Sequence, residues 1–263
     1  VKSKSERSLY FTIISKQMLW RNQHEINADS SLCQKLSGEM IMVSSLKELI
    51  DEPELDHSND PEERFMSSGV SWESYESLLA KLENNSHYRV NYLDGILEIV
   101  SPSIRHEKIK TNLGMLLERF FYSKRIRFVP MGSSTFKNKA RKAGAEPDEC
   151  YCIGEEKKVP DLAIEVVLTS GSVSKLEIYR RLGVAEVWFW ESNQFKLYHL
   201  RDNSQKEQAT VYSNTYGYEA LSKSEILPEL DISLLEQCLT ISDSIQAIDE
   251  FEQGLKAADE QKQ

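Results

Sequence analysis

Three scarcities narrow the reading of this 263-residue chain before any motif is considered. Cysteine is sparse, and Cys33, Cys150, Cys152 and Cys238 lack the paired short spacings of a zinc site. Without a secretory signal, a disulfide framework is not expected in a chain of this size, and the four read as reduced thiols. Cys150 and Cys152 fall on one side of a strand, where small buried side chains are the expectation. Long apolar runs are missing too, so no bilayer span is expected, and the first residues show no basic-then-apolar secretory pattern. A cytoplasmic location with no membrane partner follows as the expectation. Positive charge is also short: the formal net charge is -10, which argues against tight binding of nucleic acid through the surface as a whole. A local basic patch would have to serve, and Lys137, Lys139, Arg141 and Lys142 supply the candidate.

What the chain does contain is enough apolar material, 40% against 28% charged, to bury the core of one domain with extensions. Residues 1–41 show no sustained period and carry six Lys+Arg against four Asp+Glu, whereas the whole chain has 32 against 42. Met42 opens a stretch that reads as an ordinary protein start, so the preceding segment is expected to be an unfolded extension. Residues 51–68, rich in Asp, Glu, Pro, Ser and Asn, predict a linker. The division expected is an extension and linker over 1–69, a domain over 70–240, and a C-terminal amphipathic helix and tail over 241–263.

Within the domain, Ser71 caps a helix carrying Trp72, Tyr75, Leu78, Leu79 and Leu82. Tyr88–Tyr92 and Ile96–Val100 flank Asp94-Gly95, whose positive φ values suit a tight hairpin turn. A long helix follows, with Ile109, Leu113, Leu116, Leu117 and Phe120 at helical spacing. Strands are predicted at Arg127–Met131 and within Ser133–Lys137. Asp148–Ile153 and Leu162–Leu168 should pair antiparallel across a Gly-Glu-Glu-Lys-Lys turn. A helix over Ser174–Leu182 stops at Gly183, and strands follow through Trp190 and over Phe195–Leu200. After Leu227-Pro228, Ile241, Ile245, Ile248, Phe251 and Leu255 form a stripe on an acidic helix expected to dock on the domain or on a second copy. Residues from Ala258 onward are expected to fray.

The chemistry-bearing residues sit on the central strands. Alternation sends Asp161, Ala163 and Glu165 to one face and Leu162, Ile164 and Val166 to the other. A carboxylate inside Leu-Ala-Ile-Glu-Val-Val-Leu is costly without a partner, and pairing the two strands could bring Asp148 beside it. Two acids holding one divalent cation can neutralise a phosphodiester and lower the pKa of an attacking water; hard oxygen ligands suit Mg²⁺. The competing readings are a buried ion pair for Glu165, a turn-forming Asp148 and an exposed Lys175.

The motifs Tyr92-Leu-Asp-Gly95, Ser101-Pro-Ser with His106-Glu107, Glu146-Pro-Asp148, Pro160-Asp-Leu-Ala-Ile-Glu165, Lys175-Leu-Glu-Ile-Tyr179 and Gly183-Val-Ala-Glu-Val-Trp188 occur in an order that resembles a known family. It is the Uma-two-type restriction endonucleases of the PD-(D/E)XK nuclease superfamily, and the resemblance runs from about Val70 to Leu235. It implies an α/β fold, restriction-endonuclease-like, with a mixed central sheet flanked by helices. It also implies Asp148 and Glu165 as metal-binding acids for Mg²⁺ or Mn²⁺, DNA as substrate, and a homodimer, since two strands need two active sites. The superfamily's lysine two residues after the second acid is here Val167, and Lys175 stands where similar proteins move it to the following helix. Ser174 and Glu177 fit a capping box, which puts Lys175 in a first turn where the helix dipole opposes a cation by ~0.3–1 kcal/mol. His106, Glu107 and Tyr179 are further candidates, as supporting or substrate-contacting groups. The rival expectation is a catalytically idle nucleic-acid- or protein-binding module on the same fold.

Overall fold

The computed structural model describes residues 62–82, 87–168, 173–201 and 217–261. The expectations for residues 1–61, including the unfolded extension, the start at Met42 and the thiol of Cys33, lie outside the described residues. In chain order the elements are β1 (Glu63–Ser67), α1 (Trp72–Leu82), β2 (Arg89–Leu93), β3 (Ile96–Ser101), α2 (Ile104–Lys124), β4 (Phe128–Pro130), β5 (Phe136–Asn138), β6 (Ala143–Ala145), β7 (Glu149–Ile153), β8 (Leu162–Val167), α3 (Lys175–Leu182), β9 (Glu186–Glu191), β10 (Gln194–Leu200), β11 (Tyr218–Leu221), α4 (Ile232–Leu239) and α5 (Ser244–Glu260).

Local chemistry explains most boundaries. Asp94 and Gly95 both have positive φ, 48° and 89°, and close the β2–β3 hairpin in two residues. Ser192 and Asn193, at 53° and 61°, do the same between β9 and β10. Ser71, Ser103 and Ser174 each accept a backbone N–H three residues on, capping α1, α2 and α3. Gly183 ends α3 in the left-handed region at φ 88°. The capping box at Ser174 is only half realised, because the Glu177 carboxylate turns forward to Arg180 and Arg181 instead of back to the cap.

Among the described residues eleven strands form two sheets, of order β1-β3-β2-β6-β5 and β11-β10-β9-β8-β7-β4. The larger is mixed: β8 and β9 run parallel, with α3 between them in the chain, and its other neighbours are antiparallel. The architecture is the expected mixed α/β type, but with a second sheet where a single central one was expected. Alternation along β8 sorts its side chains as predicted. Leu162, Ile164 and Val166 enter the core shared with α2, α4 and α5, while Ala163 joins the core under α3.

Four elements escaped the sequence pattern. β1 lies in the stretch read as a linker; it is an edge strand whose Phe65 and Met66 remain exposed, so its composition looks polar. β6 is Ala-Gly-Ala, with no apolar bulk to mark it, and Gly144 is required there because any Cβ would strike the ring of Tyr75. β11 and α4 precede and support the C-terminal helix. Glu186, fully buried, accepts from Trp188 Nε1 at 2.7 Å, from Ser224 Oγ at 2.6 Å and from the Glu225 N–H at 3.1 Å, pinning the loop that leads to α4. The C-terminal stripe docks on the domain itself: Phe251 and Leu255 are buried against α2 and α4, while Ile245 stays exposed. α5 continues through Glu260, past the predicted fraying point at Ala258. No helix among the described residues is long and apolar enough to cross a membrane.

The docking makes α5 part of the core and predicts an unequal response along one helix. Phe251→Ala should lower unfolding free energy by ~3–5 kcal/mol, whereas Ile245→Ala should change it by about 0.5 kcal/mol or less, as measured by urea denaturation.

Candidate active site

The site is assembled by strand register. Glu149 pairs with Ile164, and the Asp148 N–H continues the ladder to the Ile164 carbonyl at 3.2 Å. One rung further, Asp148 stands beside Glu165, and directly opposed residues share a sheet face. Both carboxylates are buried and line one cleft of about 490 Å³.

Each acid is held by one oxygen. Oδ2 of Asp148 lies 3.1 Å from His106 Nε2 and accepts the Val166 N–H at 2.8 Å. Oε1 of Glu165 accepts from Lys175 Nζ at 2.9 Å and from the Tyr179 hydroxyl. Among the described residues no hydrogen bond reaches Oδ1 of Asp148 or Oε2 of Glu165. The helical spacing of Lys175 and Tyr179, one turn apart on α3, is what lets both meet the same oxygen.

The charges answer one another. Burial would raise the Asp148 pKa, but the hydrogen bond and charge of His106, with Lys175 and the Val166 N–H, hold it below the usual carboxylate range. Burial pushes the Glu165 carboxyl up; Lys175 pulls it back, and the neighbouring Asp148 charge adds to the rise. Desolvation opposes the Lys175 ammonium, yet Glu165, Glu98 and Asp148 outweigh it and raise its pKa. His106 is likewise raised, with the Asp148 contact overcoming burial. These opposed shifts favour the charged forms of Asp148, His106 and Lys175 against the cost of burial.

Five of the six sequence candidates are thus brought together: Asp148, Glu165, Lys175, His106 and Tyr179. Tyr179 is fully buried in the core under α3, and its hydroxyl donates to Glu165. Glu107 does not line the cleft; half-exposed, it pairs with Lys110 at 2.6 Å and Arg89 at 3.5 Å, and its Oε1 lies 3.9 Å from His106 Nδ1. The predicted basic patch is divided. Lys137 and Lys139 are spent on Glu76 and Glu73 of α1, each at 3.1 Å, while Arg141 and Lys142 line a second, open cleft with Arg180, Arg181 and Arg201. Asn91, Glu98 and Arg64 also line the acidic cleft and were not singled out from sequence. A signal existed: the two-residue turn fixes the hairpin register and sets Asn91 opposite Glu98.

Among the described residues no three His, Cys, Asp or Glu side chains converge as a metal-ligand cluster. The donor set here is two carboxylates, each with one oxygen left over, and a cation between them would offset both the burial that raises Glu165 and the Asp148 charge that adds to it. Such a set fits Mg²⁺, which keeps several waters and takes one or two carboxylates plus substrate phosphates, rather than a metal requiring an all-protein cage.

The mixed α/β architecture is that of a restriction-endonuclease-like fold. Residues 72–236 match the Uma2 family, described as "Putative restriction endonuclease". The chain belongs to that family, which is of nuclease type. No curated protein matches it.

Next to Asp148, the half-buried Glu149 carboxyl is pushed up to about 7, mainly by burial, with Lys110 opposing and Glu118, Asp148 and Glu107 adding. Because its folded pKa lies above the ordinary 4.5, its contribution is fully present below that value and is lost as pH rises through about 7. Glu149→Gln should therefore stabilise the protein by ~1–3 kcal/mol at about pH 8 and by much less at about pH 4. Urea midpoints that shift equally at both pH values would contradict this.

Proposed function

We propose that this protein is an endonuclease that hydrolyses DNA phosphodiester bonds with the help of Mg²⁺ or Mn²⁺ held by Asp148 and Glu165. The observation that carries the reading is the paired burial of these two acids with one oxygen of each unclaimed, beside an ammonium that donates to Glu165. Bound there, the cation would supply charge neutralisation at the phosphate and a lowered pKa for water.

The chain's own groups do the rest. His106 and the Val166 N–H fix Oδ2 of Asp148 and leave Oδ1 without a hydrogen bond among the described residues. Tyr179 and Lys175 anchor Oε1 of Glu165 and leave Oε2. Lys175 carries a fixed positive charge at the edge of the reacting volume, suited to orienting an attacking water or to meeting the charge that develops on the phosphate. Its position on α3 takes over the part of the strand lysine absent at Val167. A homodimer, with one copy serving each DNA strand, and a cytoplasmic location complete the reading.

A second reading is favoured by one feature: Lys175 already neutralises Glu165, as an inert buried ion pair would. In that case the protein is a binding module that keeps the nuclease fold without the chemistry.

Plasmid cleavage separates the two. With Mg²⁺ or Mn²⁺ the wild type should nick or linearise supercoiled DNA, and Glu165→Ala and Lys175→Ala should each reduce the rate by roughly 10²-fold or more. Cleavage that persists in both variants, or its absence in the wild type with either metal, would remove the enzyme reading. Sedimentation of the full chain tests the dimer.

A further inference from the structure

Asn91 and Glu98 are both 0% exposed, yet neither touches the acid pair. Burying a carboxylate and an amide in the middle of a hairpin is costly unless every polar atom is met. Here they are met in one chain of contacts. Lys175 Nζ donates to Asn91 Oδ1 at 3.0 Å, Asn91 Nδ2 donates to Glu98 Oε2 at 3.0 Å, and Arg64 Nη1 donates to Glu98 Oε1 at 2.6 Å. An ammonium can only donate and a carboxylate can only accept, so the amide has a single orientation that satisfies both neighbours. If the pair served only to fill space beside the β2–β3 hairpin, apolar residues of similar volume would do so without the desolvation cost. What apolar residues could not do is define a point in space for an ammonium.

Lys175 needs such a definition. It begins α3 on a flexible four-carbon stem, at the end of the helix whose dipole opposes a cation. Glu165 alone attracts it from one direction, and Asn91, reached from the other sheet, supplies a second. We infer that Asn91 and Glu98 are positioning residues that hold the Lys175 ammonium in place, with Arg64 locking Glu98. The kinetic part of this inference rests on the nuclease reading above; the structural part does not.

The test uses the full chain and two readouts. In ¹⁵N-lysine NMR the wild type should show an ammonium signal protected from solvent exchange, assigned by its loss in Lys175→Ala. Asn91→Leu should move that signal into fast exchange and lower kcat for plasmid cleavage roughly tenfold or more, with KM changed by about twofold or less. Glu98→Gln, which keeps an acceptor for Asn91 but removes the charge, should shift both readouts in the same direction by less, and it carries the test if Asn91→Leu does not fold. A protected Lys175 signal that survives in both variants overturns the inference, as does a kcat loss matched by an equal rise in KM. If the wild type cuts no DNA, the nuclease reading fails while the ammonium signal still decides the positioning role.

Discussion

Two like charges buried side by side govern the rest of this molecule. Strand register puts Asp148 next to Glu165 in a closed part of the larger sheet, and neither can be ionised there without compensation. The surrounding structure reads as the answer to that demand. His106 is brought from the start of α2, Lys175 and Tyr179 from α3, and the Val166 N–H from the strand itself. Helices α2 and α3 are placed over the sheet by their apolar faces, but what each delivers at its first turn is a polar partner for an acid.

The division of labour between oxygens is the chemical content of the arrangement. A fully satisfied buried acid is a structural element, whereas one anchored by a single oxygen is rigid and still has capacity to bind. Asp148 and Glu165 are both of the second kind, which separates them from Glu186. The latter spends both oxygens on Trp188, Ser224, His199 and two backbone N–H groups and is purely architectural.

Much of this was legible from sequence, for reasons that can be named. Asp94-Gly95 is a turn signal with one mechanical meaning, Ser103 and Ser174 are caps, Gly183 is a terminator, and alternation along Leu162–Val167 separates the core face from the site face. The acid pair was reachable because alternation and strand pairing fix its neighbours, whereas Lys175 and His106 were singled out by the resemblance to a family. β1, β6 and β11 were not, since short or edge strands carry little periodic pattern, and in β6 the packing requirement is for an absent side chain at Gly144. Helical spacing put Tyr179 on the same face as Lys175, but spacing alone does not show that its hydroxyl meets Glu165. Asn91 and Glu98 were overlooked because a polar residue in an apolar run looks like a solvent-facing position. Only the second sheet, which sequence did not reveal, shows that both are enclosed.

The parallel pairing of β8 and β9 with α3 between them has a consequence for portability. A lysine carried on a strand travels with its acid when the hairpin is moved, but this one is carried by the crossover. The smallest unit that could be grafted onto another scaffold is therefore strand, helix and next strand as one block. Even then it would arrive without the partner from the other sheet that gives its ammonium a fixed address.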